Sequence, residues 1–154
     1  TLTLTFRTEL LLPIPAFLYD KRIYAGDWAL AIWFSLHGEI HILPDNTAMY
    51  RKNSNGVWNG DSDMQNAYKL ILFREAMLSF IPSEYLKIYR NRFKQSISEY
   101  FDIISQSYPF PKFLSEWFLI SKMTLSRNAY PYLVKVLILF IINKVRIRLG
   151  SIVQ

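Results

Sequence analysis

An α/β class, with a few short strands followed by a helix-rich tail, is predicted by three observations. Thr1–Arg7 (TLTLTFR) alternates strictly, with Leu2, Leu4 and Phe6 on one side and Thr3 and Thr5 on the other, as in a half-buried strand. Two further strand-like runs, Glu39–Leu43 (EIHIL) and Thr47–Arg51 (TAMYR), flank a Pro44-Asp45-Asn46 turn. From Ser62 onward the apolar residues recur at helical spacing. The 154 residues are enough for one domain to bury a core without a covalent staple.

After the first strand, Leu12-Pro13-Ile14-Pro15 disfavours both helix and ladder and is expected as an extended loop, which continues as loop or short turn through Tyr24. Trp28–His37 reads as a short apolar helix. Asp27 stands at its start, where a carboxylate meets unsatisfied N–H groups, and Gly38 stands where a left-handed C-cap belongs. Lys52–Gly60 (KNSNGVWNG) has no period and reads as a loop. Ser62-x-x-Gln65 has capping-box spacing and opens a helix to about Phe80. Pro82-Ser83-Glu84 opens a long helix to about Ser105, amphipathic through Tyr85, Ile88, Tyr89, Phe93, Ile97, Tyr100, Phe101 and Ile104 and stopped by Tyr108-Pro109-Phe110-Pro111. Two more helices follow, about Lys112–Ser126 and Tyr130–Leu149. The expected organisation is a mixed α/β part over residues 1–60 and a helical extension over 61–154.

Composition removes several function classes. The absence of Cys excludes a disulfide scaffold, a Cys-ligated zinc site, an iron–sulfur cluster and a thiol nucleophile, and only His37 and His41 are available for an imidazole site. A hydrophobic share of 51% with 16% aromatics argues against disorder. The net charge of +6 is uneven: acids and bases cancel through residue 120, and the surplus is Lys122, Arg127, Lys135, Lys144, Arg146 and Arg148, with no acid after Glu116. An anionic partner is expected at that end only, and the interleaved apolar residues favour lipid over nucleic acid. Val136–Ile142 is too short an apolar run to span a bilayer, which takes ~20 residues. Residues 130–148 are therefore either an interfacial helix on an anionic membrane surface or a helix packed on its own domain.

Asp27 is the most informative carboxylate. A helix start holds a side chain rigidly and favours its charged form, as a general base requires; the plainer reading is an N-cap. Trp58, between Gly56 and Gly60, is either a sugar-stacking aromatic on a polar loop or a core residue. Asp61-Ser62-Asp63 has the D-x-D form that holds a divalent ion against a diphosphate, yet it overlaps the capping box. His37 is expected to partner the end of its helix, and His41 to face solvent. No catalytic triad, P-loop, G-x-G-x-x-G or H-E-x-x-H is present.

In order, GDWAL, LHGEIHIL, AMYR and NGVWNG resemble the C-terminal half of bacterial family 2 glycosyltransferases of the GT-A fold, over about 40 residues. The resemblance implies an inverting enzyme that moves a sugar from a nucleotide-diphosphate sugar to a hydroxyl of a carbohydrate or lipid-linked acceptor in cell-envelope polysaccharide synthesis. It implies Asp27 as the catalytic base, Trp28 and Trp58 at the acceptor, and Tyr50, Arg51, Asn53, Gly56 and Val57 on or leading into a flexible loop. Asn53 departs from the pattern, since many relatives carry His there, and an amide is a poorer metal ligand than imidazole. No metal ligand is assigned in the chain. A divalent metal, Mg or Mn, is expected for the full-length enzyme, with most ligands upstream, as is the donor site. The chain is thus expected to be a piece of a longer protein, inactive by itself, cytoplasmic and peripheral on the inner face of the cell membrane. The alternative is a non-enzymatic peripheral membrane-binding or partner-binding helical module.

Overall fold

A computed structural model describes residues 4–44, 56, 59–124 and 130–150. Among the described residues there is no strand, and the regular elements are helices. For the described residues the predicted α/β class with its short GT-A-type strands is therefore corrected to an all-helical one. Leu4–Arg7 forms no ladder; instead the Phe6 ring stacks on Phe34, centroids 4.5 Å apart. Glu39–Leu43 is irregular and exposed, Ile42 being 91% accessible. Alternation makes a strand only when a neighbour supplies the hydrogen-bonding partner. Thr47–Arg51, the partner expected for Glu39–Leu43, lies outside the described residues, as do Thr1–Thr3 of the first run.

Among the described residues two short 3₁₀ turns, Thr8–Leu11 and Ala16–Tyr19, precede five α-helices: α1 (Gly26–Ser35), α2 (Asp63–Met77), α3 (Leu86–Ser107), α4 (Phe110–Thr124) and α5 (Tyr130–Gly150). The chain divides into two compact units, Thr1–Tyr89 and Arg90–Gln154.

In the first unit, Phe17, Ala25, Ala29, Phe73 and Met77 form the buried cluster, so α2 shares a core with the segments around α1. Leu18, Ile23, Ile32, Trp33, Leu70 and Phe80 pack around it. The predicted capping box opens α2: the Ser62 hydroxyl accepts from the Gln65 N–H, and the Gln65 side chain accepts from the Ser62 N–H at 2.9 Å. Two donors that the first helical turn leaves open are thereby satisfied.

Glu75, buried on α2, is paired with Arg22, whose Nε also donates to both Asp20 carboxylate oxygens at 3.0 and 3.1 Å. The hydrogen bonds from Arg22 hold the Asp20 carboxyl below its ordinary value of 3.8. That contribution to stability is complete above about pH 3.8 and is lost as the pH falls through the lower folded value. Arg22→Ala strips the buried Glu75 of its guanidinium. The expected result in urea denaturation is a loss of about 2 kcal/mol, discounted because Arg22 is itself half-exposed, together with a flatter acid limb. An unchanged midpoint contradicts this pairing.

In the second unit, α3 buries Phe93, Ile97, Tyr100, Phe101 and Ile104. Phe113 of α4 packs between Phe101 and Phe140 of α5, with centroid distances of 5.3 and 3.6 Å. Trp117 donates its indole N–H to the Leu133 carbonyl at 2.8 Å, and Tyr100 donates to Glu116 at 2.8 Å. The α3–α4 break is shorter than the expected one between about Ser105 and Lys112. Only Tyr108 and Pro109 are outside the helices, and Pro111 sits in the first turn of α4, where its missing N–H costs nothing.

Candidate functional site

Of the residues singled out in the sequence, Asp27 and Trp28 lie at the start of α1. The helix begins two residues earlier than its N-cap reading requires. Ala25 is the N-cap and makes no side-chain cap, while Asp27 lies inside the first turn. One Asp27 carboxylate oxygen accepts from the Trp28 N–H at 2.9 Å, and the side chain is partly buried. Ala25 and Ala29 on either side are sealed into the core, which fixes the backbone that carries Asp27.

Trp28 is 47% exposed, with its ring edge-on to Phe73 at 6.3 Å. Tyr24 meets the same Phe73 at 6.2 Å. Lys69 lies over the Tyr24 ring at 5.7 Å and is paired with Asp61. Phe73 thus links Trp28 to Tyr24, and Tyr24 to the Lys69–Asp61 pair. Burial pushes the Tyr24 hydroxyl up to about 12, and the nearby Arg74 charge only partly opposes it. Tyr89 is raised further, again by burial and against Arg74, and its hydroxyl is buried without a hydrogen-bond partner. Both phenols stay protonated at neutral pH.

The D-x-D residues take structural places: Asp61 pairs with Lys69, Ser62 caps α2, and Asp63 is its first residue. No group of His, Asp or Glu that would hold a metal ion occurs among the described residues. The His37 ring bonds the Trp33 carbonyl at 2.7 Å and packs on the Trp33 ring, closing the end of α1. Gly38 is not left-handed, since no described glycine has positive φ, and Leu36 occupies the C-cap. His41 is exposed, 3.7 Å from Glu39. The Gly56 carbonyl accepts from the Gly60 N–H at 2.8 Å. Tyr50, Arg51, Asn53, Val57 and Trp58 lie outside the described residues.

Sequence reasoning missed Tyr24, Lys69 and Phe73. Phe73 and Lys69 lie on α2, some forty residues beyond α1, and no local pattern marks which helix covers the start of another. The chain matches no known family model, no curated protein and no solved structure.

Proposed function

We propose that this chain is the acceptor-side portion of a longer inverting glycosyltransferase. The parent enzyme moves a sugar from a nucleoside-diphosphate sugar to a hydroxyl acceptor in cell-envelope polysaccharide synthesis. The observation that carries the proposal is the Asp27 carboxylate, held in the first turn of an apolar helix beside a half-exposed indole. The ordered similarity of GDWAL, LHGEIHIL, AMYR and NGVWNG to that family also supports it.

The step follows from the chemistry of those groups. Asp27 takes the proton of the acceptor hydroxyl as the oxygen attacks the anomeric carbon. The new C–O bond forms on the face opposite the departing diphosphate, which leaves with the electron pair, so the anomeric configuration inverts. The Trp28 face offers an apolar surface to the C–H bonds of a pyranose and orients it. Holding the hydroxyl within about 3 Å of the base makes proton transfer and attack concerted in space.

The test is product stereochemistry. The chain joined to its donor-binding half, given nucleoside-diphosphate hexoses and membrane acceptors, is expected to release nucleoside diphosphate and form a product of inverted configuration. The 154-residue chain alone is expected to release none. A product of retained configuration, or no donor-dependent product from the joined protein, contradicts the proposal.

A further inference from the structure

Helix α5 is apolar on both of its sides, and only one is covered. Its inner side buries Leu133 and Phe140 against α4. Its outer side presents Ile138, Leu139 and Ile142, about half-exposed, with Lys135 on the same arc of the helix. An apolar helix face of this kind ordinarily has an occupant.

The charge pattern says which. The last acid in the sequence is Glu116, and the apolar stretch of α5 is followed in sequence by Lys144, Arg146 and Arg148. A second copy of the chain would bring the same acid-free, cationic segment and so no complement to it. No described helix is long and apolar enough to cross a membrane. A surface that is apolar inside and anionic outside satisfies both requirements, with isoleucines in the acyl boundary and lysines at the phosphates.

We infer that the outer face of α5 docks on an anionic lipid surface, with Ile138, Leu139 and Ile142 entering the interface and Lys135 at headgroup level. The inference does not depend on Asp27 being catalytic.

The test is co-sedimentation of the full chain with vesicles of equimolar phosphatidylcholine and phosphatidylglycerol, against vesicles of phosphatidylcholine alone. The chain is expected to bind the anionic vesicles and to lose binding on the neutral ones or as salt is raised. Because both isoleucines are already solvent-facing, the double variant Ile138→Asn, Ile142→Asn is expected to fold, with unchanged circular dichroism, and to bind at least about tenfold more weakly. Lys135→Gln is expected to lose about fivefold on anionic vesicles and nothing on neutral ones. Equal binding to both vesicles, no binding to either, or undiminished binding by the isoleucine variant overturns the inference. So does a dimer in sedimentation velocity that the isoleucine variant converts to monomer.

Discussion

Phe73→Ala is expected to destabilise the first unit by about 3–5 kcal/mol, enough to remove much of the stability of a domain this small. Phe73 is 2% exposed and sits in the cluster with Phe17, Ala25, Ala29 and Met77. Truncation loses the burial of a phenyl ring and leaves a cavity that short, rigid neighbours such as Ala25 and Ala29 cannot fill. Because Trp28 and Tyr24 rest edge-on against the same ring, the variant is also expected to loosen the region around Asp27. Urea denaturation followed by tryptophan fluorescence measures the first effect, and the exposure of Trp28 to a soluble quencher measures the second. A loss below about 1 kcal/mol means that Phe73 is not packed as described.

Asp27→Asn is the second large effect, and it falls on chemistry rather than stability. The amide oxygen still accepts the Trp28 N–H, so α1 is expected to form unchanged. An amide does not take a proton at neutral pH, so general-base assistance, typically worth about 10²–10⁴ in rate, is lost. Trp28→Ala is expected to separate from it. It removes a binding face and raises KM for acceptor with a smaller effect on kcat, because an indole that only orients the sugar contributes to ground state and transition state alike.

The helical part was legible because its signals are local. Ser62 and Gln65 face each other across one turn, and nothing distant competes with that bond. The α3 periodicity placed Phe93, Ile97, Tyr100, Phe101 and Ile104 in the core, where they are found. At the start of the same pattern Tyr85 and Ile88 are exposed, because periodicity gives the apolar side of a helix but not how far along it a neighbour extends. The strands were misread because pairing is non-local: TLTLTFR and EIHIL have the period of a strand, but Phe6 found Phe34 and Ile42 found solvent. At the site, Asp27 and Trp28 were legible as the start of a helix. Phe73, which meets Trp28 and Tyr24, and Lys69, which lies over Tyr24, depend on how α2 docks, and no residue near Asp27 records that.

The central claim is that the Asp27 carboxylate takes the proton of an acceptor hydroxyl. Its most direct test is kcat for sugar transfer by the parent enzyme and its Asp27→Asn variant, at saturating donor and acceptor and with matched helical circular dichroism. A loss of about 100-fold or more is expected, with acceptor KM little changed. Turnover equal to that of the unsubstituted enzyme would contradict the claim.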